Sequence, residues 1–501
     1  MSQSTTHTPI HFAGVAQLSQ MLESGQISST ELTQTFLERI KTHNNLGAFL
    51  AFDDNIALAQ AKAADQVRAQ GNATALTGIP LAHKDLFATT EYPTTAASKM
   101  LEGYVSPFDA TVVTKLKEAG TVMLGKLNCD EFAMGGSNEN SAFYHALNPW
   151  NASRVPGGSS GGSAVAVAAG LVPFATGSDS GGSIRQPSSF TSITGIKPTY
   201  GRCSRHGMIA FASSFDQAGV MSHSALDCAI TLKTIAGFDP QDSTSVERPV
   251  DDFMAQATAL REGATAAQPL KGLRIGLPKE FISDDIDPAI QNVIRSALTE
   301  YEKLGATLVD ISLPQTKLAV PVYYTLAPAE ASSNMSCYDG VRYGYRTSNA
   351  ETLEQLYSRS RSEALGEEVR RRILMGTYVL SEGYYDAYYL KAQKIRRIIA
   401  QDLQHAFTQC DVIAGPVAPS EPWEQNVITK DPLLDYLADI FTLPASLAGL
   451  PAMSLPAGFT GNRLPVGLQL IGNYWQEGLI LHAAHAFQQA TDWHQQYPEG
   501  F

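Results

Sequence analysis

At 501 residues, with 44% hydrophobic and 17% charged side chains, the chain has the composition of a globular protein with a large core. Its formal net charge of −13 argues against a primary nucleic-acid binder, because phosphate contacts need lysine and arginine. The five cysteines are scattered and lack a Cys-x-x-Cys pair, which argues against a disulfide framework or a zinc site and for reduced thiols in the cytoplasm. Met1 to Gln20 has no basic segment followed by an apolar core, so no secretory leader is expected. The longest apolar run, Ala164 to Ala175, is too short to span a bilayer and contains Gly and Pro, so no membrane contact is expected.

In chain order, Ser28-Ser29-Thr30-Glu31 reads as a capping box, with Leu32, Phe36 and Ile40 following at helical spacing. Ile56 to Gln70 is a second, Ala-rich helix. Leu76 to Phe87 turns at Gly78 and Pro80, then runs in β fashion onto His83-Lys84-Asp85. Lys84 lies between Leu81, Ala82, Leu86 and Phe87. Buried there, it would favour the neutral form and could serve as a base; exposed, it would simply pair with Asp85. His83 reads as structural. Asp109 to Ala119 reads as a helix, Thr121 to Gly125 as a strand, and Asn128 to Ser141 as a long polar loop able to line a pocket. Asp130 and Glu131 sit in that loop with nothing nearby to complete a metal site.

The stretch Val155 to Arg185 holds two Gly-Gly-Ser knots, Gly157 to Ser163 and Gly177 to Ser183, around an apolar element. Ala164 to Ala169 suits a helix stopped at Gly170, and Leu171 to Thr176 suits a short strand. Glycine lets successive N–H groups converge on one point, which an oxyanion hole needs. Ser183 is thus placed to attack a carbonyl whose oxygen lies against the amides of residues 180 to 183. No lysine follows either glycine pair in the manner of a nucleotide-binding loop. Gly157-x-Ser159-x-Gly161 also matches the nucleophile elbow of α/β-hydrolases. That reading needs a downstream His, such as His206 or His482, and leaves the second knot without a role.

Beyond Arg185, Gln186-Pro187 and Gly195 to Gly201 have connector chemistry, and Ser213 to Gln217 is a polar patch. Residues 240–270 read as a surface excursion. Leu273 to Pro278 reads as a strand, Pro288 to Leu304 as an amphipathic helix and Leu308 to Ile311 as a strand, an alternation that signals an α/β layer fold. Residues 316–407 turn helical and aromatic, with Tyr384-Tyr385-Asp386-Ala387-Tyr388-Tyr389 near the end. Of Arg370, Arg371 and Arg372, two read as a solvated helix face. Val412 to Pro416, Phe441 to Pro451, Met453 to Ala457 and Val466 to Gly472 are expected to continue the sheet, before a last helix over Glu477 to Gln488.

The segments Gly78 to Asp85, Pro156 to Ser163 and Gly177 to Pro187 together resemble the amidase signature family, over nearly the whole chain. The resemblance implies one domain over residues 1–501, with N-terminal helices in 1–70, the signature core in 155–185 and a helical insertion in 316–407. The implied fold is α/β, a central mixed twisted sheet covered by helices on both faces. It further implies a Ser–cis-Ser–Lys triad of Ser183 as nucleophile, Ser159 as proton relay and Lys84 as base, with an oxyanion hole at Ser180, Gly181, Gly182 and Ser183.

Glu131 to Ser141, Glu330 to Asn334, Arg371 to Tyr378 and Ser381 to Tyr389 resemble one branch of that family, ammonia-supplying subunits of tRNA-dependent amidotransferases. For this branch the implied substrate is glutamine, its carboxylate on Arg372 and its ammonium on Asp439. Met134, Gly135, Ser137 and Tyr323 are further pocket candidates. The implied partners are two subunits in a heterotrimer. One uses ATP and Mg to amidate Glu-tRNA(Gln), or Asp-tRNA(Asn), and holds most of the misacylated tRNA. This chain is expected to carry no cofactor or metal itself. The alternative is a stand-alone amidase acting on another amide.

Overall fold

The apolar runs of the sequence form one mixed sheet in the computed structural model, which describes residues 9–282, 286–427 and 436–501. In chain order the strands are β1 (Phe49–Phe52), β2 (Pro80–Lys84), β3 (Val122–Leu127), β4 (Phe174–Asp179), β5 (Thr194–Lys197) and β6 (Gln217–Ser222). They continue as β7 (Arg274–Pro278), β8 (Thr307–Ile311), β9 (Val412–Pro416), β10 (Ala452–Phe459) and β11 (Pro465–Gly472). Among the described residues the spatial order is β1-β3-β2-β4-β6-β5-β10-β11-β9-β7-β8. Strands β3, β2 and β4 run parallel, β4 to β9 pair antiparallel through the middle, and β9, β7 and β8 run parallel at the far end. Every residue of β2 to β6 is buried, as strands covered by helices on both faces must be.

The N-terminal helices pack as their periodicity predicts. Ser28 and Glu31 close the capping box on helix Ser29–Thr42, and Leu32, Phe36 and Ile40 are fully buried. The signature core is a Gly loop, helix Gly161–Ala168, strand β4 and a second Gly loop, with Gly170 at φ +62° ending the helix.

Three expectations are corrected. Phe441 to Pro451 holds a helix, Leu443–Ala448, because Pro444 suits a helix's first turn and Gly449 at φ +71° its end; only Ala452 onward joins the sheet. The supposed connector after Arg185 is helix Arg185–Thr191 followed by central strand β5. Gly195 lets the two pack closely, since a Cβ there would lie 2.2 Å from Ser188 Oγ. Within residues 240–270, helix Phe253–Thr258 buries Phe253 and Ala257.

The helical stretch from 316 consists of helices Ala319–Asn334, Leu353–Ala364, Glu367–Val379 and Lys391–Ala406, with a π-helix over Tyr385–Leu390. Helix Glu367–Val379 crosses Ala319–Asn334 at Gly376, where a Cβ would lie 1.9 Å from the Pro328 carbonyl oxygen. This crossing brings Arg372 beside Tyr323 and Tyr324. Among the described residues no helix is long and apolar enough to cross a membrane.

Candidate active site

Lys84 ends β2 with its side chain fully buried. Its Nζ lies 2.7 Å from Ser159 Oγ, 2.9 Å from Ser160 Oγ and 2.9 Å from Ser178 Oγ. The surface pairing with Asp85 is overturned: Asp85 points elsewhere and forms a buried ion pair with Lys126, at 2.9 Å. Among the described residues Lys84 has no salt bridge. Burial pushes its pKa down to about 8, against the opposing pull of Cys129, Asp130, Asp179 and Asp216. His83, next to it, is a core residue with Nδ1 3.2 Å from Thr176 Oγ1.

Ser160 and Ser178 are the members of this cluster that motif reading passed over. The sequence signal for Ser178 is strand alternation, which puts it on the same face of the sheet as Thr176 in β4, next to parallel β2; Ser160, just before helix Gly161–Ala168, has no signal beyond its place next to Ser159. Ser160 Oγ donates to the Ser178 carbonyl at 3.1 Å. Its oxygen in turn accepts from the lysine, and from the Ser178 N–H at 3.4 Å.

The peptide bond Gly158–Ser159 is cis. Gly158 N–H donates to Gln186 Oε1 at 2.9 Å, and Gln186 Nε2 donates to the Gly136 carbonyl at 2.8 Å. Ser137 packs here too: a Cβ on Gly158 would lie 2.8 Å from its N and 2.1 Å from Asp130 Oδ2. Asp130 organises this loop by accepting the N–H groups of Asn138 and Asn140. Met134 and Ser137 are buried and Gly135 lies against Asp130, so the predicted pocket loop directly backs the residue before Ser159.

Ser183 stands on the open side. It is partly exposed, whereas Ser159 and Ser160 are fully buried. Its carbonyl accepts the Ser160 N–H at 3.1 Å, which joins the two Gly-Ser knots directly. Among the described residues Ser183 Oγ makes no hydrogen bond, and the N–H groups of Ser180, Gly181, Gly182 and Ser183 donate to no protein acceptor. The loop is anchored by its other atoms. Ser180 Oγ donates to Asp216 at 2.5 Å, and Thr442 Oγ1 donates to the Gly181 carbonyl at 2.6 Å. Arg185 Nε and Nη2 each bond Asp179 at 2.9 Å, while Arg185 also reaches Thr442, Ser446 and Gln469.

The other predicted pocket residues gather against the same loop. The Tyr323 hydroxyl lies 2.8 Å from where a Cβ on Gly181 would be, and Asp439 Oδ1 3.2 Å from one on Gly182. Asp439 is fully enclosed; burial and the nearby Asp179 push its pKa up to about 7, against Arg372 and Arg185. Arg372 is buried, its guanidinium 5.5 Å from the Phe211 and Tyr324 ring centres and 5.7 Å from that of Tyr436. Arg370 is exposed and Arg371 is bound to Glu367 and Glu368, so the two solvated arginines are these. His206 stacks on Phe108, and His482 bonds the Ala257 carbonyl. Among the described residues no histidine bonds Ser159, which leaves the elbow reading without its base. Among them also, no group of three His, Cys, Asp or Glu could hold a metal ion.

A buried hydroxyl beside a lysine whose pKa is lowered, a partly exposed second hydroxyl and four amides without a protein acceptor among the described residues are the parts of an acyl-transfer site. Comparison with known proteins agrees: the amidase family model matches residues 31–481, and the chain belongs to the amidase family. It is 61% identical to the Cupriavidus metallidurans glutamyl-tRNA(Gln) amidotransferase subunit that is designated A, over 96% of this chain and 97% of that one. The crystal structure of the like-named glutamyl-tRNA(Gln) amidotransferase subunit from Thermotoga maritima is 40% identical, with a TM-score of 0.79 and 96% of each chain covered. The peptide amidase of Stenotrophomonas maltophilia is 30% identical at a TM-score of 0.79, covering 96% of this chain and 98% of that one.

Proposed function

We propose that this chain is the glutamine-hydrolysing subunit of a tRNA-dependent amidotransferase, and that the Lys84–Ser159 contact carries the chemistry. A neutral lysine has two N–H groups and one lone pair. The Ser160 proton is committed to the Ser178 carbonyl, so Ser160 accepts from the lysine. With the second N–H given to Ser178 Oγ at 2.9 Å, the lone pair is available to the Ser159 hydroxyl at 2.7 Å. Ser159 gives its proton to Lys84 and takes the proton of Ser183, whose Oγ forms a bond to the amide carbon. The carbonyl electron pair moves onto oxygen, which the N–H groups of residues 180 to 183 receive. When the oxyanion collapses the C–N bond breaks, and the proton returns through Ser159 to the leaving nitrogen, giving ammonia. Water then cleaves the Ser183 ester by the same relay and releases glutamate.

Arg372 and Asp439 suit the amino-acid head of glutamine. A guanidinium matches a carboxylate bidentately, and a carboxylate answers the ammonium. The ammonia would pass to a partner subunit that activates the glutamyl group of misacylated tRNA with ATP and Mg. A third, small subunit would complete a heterotrimer. The acidic charge suits a subunit that leaves tRNA binding to its partner. The free cysteines support a reducing, cytoplasmic setting.

The test is ammonia release from glutamine by wild type and Ser183→Ala, alone and with partner subunits, charged tRNA and ATP. Serine-dependent release that rises with the partners supports the assignment. Release from many amides, indifferent to partners and tRNA, would make the chain a free-standing amidase.

A further inference from the structure

Glu368 is nearly buried on helix Glu367–Val379, one turn before Arg372. Its Oε1 accepts Arg372 Nε at 2.7 Å and the Tyr436 hydroxyl at 3.0 Å; its Oε2 accepts from Arg371. The Tyr436 ring stacks on Tyr324 at 3.9 Å and 25°, and the Tyr324 hydroxyl reaches Asp439 Oδ2 at 3.4 Å. One carboxylate oxygen thus stands at the head of a chain that ends on Asp439.

A guanidinium offers two edges. With Nε engaged by Glu368, the Nη1/Nη2 edge of Arg372 is the one left over, and among the described residues these nitrogens make no hydrogen bond. The aromatic rings around the cation restrict its plane but do not choose which edge faces the pocket. Burial pushes the Glu368 pKa up, but Arg372 and Arg371 more than offset it and hold the group ionised.

We propose that Glu368 is a positioning residue for substrate binding: it presents the free edge of Arg372 to the α-carboxylate and, through Tyr436 and Tyr324, fixes Asp439 for the α-ammonium. This rests on the glutamine reading given above. Glu368 touches no reacting atom, so its loss weakens binding of the amino-acid head and spares the chemical step.

The experiment is steady-state glutaminase kinetics of Glu368→Gln, Tyr436→Phe and the double variant, each co-expressed with the partner subunits. Losing one partner of a buried charged pair predicts a KM for glutamine raised about 10- to 100-fold in Glu368→Gln, with kcat within about threefold. Tyr436→Phe, which removes only the hydroxyl, raises KM about 3- to 10-fold. The double variant stays close to Glu368→Gln, because the two act in one chain. An unchanged KM, a fall in kcat at constant KM, or additive effects would overturn the proposal. Should Glu368→Gln not fold, Tyr436→Phe decides alone by the same split. Arg372→Ala separates the two readings. If it leaves KM unchanged, the head-group site itself is wrong. If it raises KM while Glu368→Gln does not, only the role of Glu368 falls.

Discussion

Lys84 Nζ lies 2.7 Å from Ser159 Oγ in a fully buried position, surrounded by hydroxyls and without a salt-bridge partner among the described residues. The adjacent carboxylate, Asp85, is spent on Lys126 instead. That division leaves Lys84 without an ionic partner, as the base proposed above requires, and makes Lys126 a structural cation.

With its pKa pushed down to about 8, Lys84 is mostly in the neutral form that the proposed base role needs only above that value. kcat/KM for glutamine is therefore predicted to rise with pH through about 8 and then level off. Between about 8 and the ordinary value of 10.5 the unfolded chain binds a proton that the folded chain does not, so this group adds stability as pH rises through that window. A pH–rate profile flat from 6 to 9 would count against a lysine base.

Asp439 faces the opposite situation. Its pKa, raised to about 7, leaves it half protonated at neutrality without substrate, and binding an ammonium needs the carboxylate. Below about pH 7 kcat/KM is predicted to fall with two protons, one on Asp439 and one on Lys84. Asp439→Asn should lower kcat/KM and reduce the acid-limb slope toward one. An unchanged slope in that variant would remove Asp439 from the binding step.

Asp85→Asn strands the Lys126 ammonium in a fully buried site with only the Phe87 and Pro93 carbonyls and the Thr94 hydroxyl. Breaking a buried pair from one side costs about 3–5 kcal/mol, which a denaturant midpoint would register. Lys126→Met with Asp85→Asn removes both charges and should recover part of that loss. Equal losses in the single and double variants would contradict the pairing.

The sequence announces backbone amides through its Gly-Ser knots, but it leaves Lys84 open between a buried base and a surface partner of Asp85, and only the resemblance of its motifs to the amidase signature joins Lys84, Ser159 and Ser183. The elements it concealed are those whose character is set from afar. β5 reads as a connector because Gly195 and Pro198 look like turn residues; burial between β6 and β10 makes it a strand. Leu443–Ala448 reads as apolar strand until its proline and glycine are seen as helix ends. Glu368 belongs to no motif of its own in the sequence. Only the crossing at Gly376, which turns Arg372 inward, gives its carboxylate a task.

The nucleophile is identified most directly by where an electrophilic glutamine analogue becomes attached, read by peptide mass spectrometry on wild type, Ser183→Ala and Ser159→Ala. A single adduct is expected on Ser183 itself, located by fragmentation within the peptide, abolished by Ser183→Ala and slowed by Ser159→Ala. An adduct on Ser159, or one that survives loss of the Ser183 hydroxyl, would contradict this assignment.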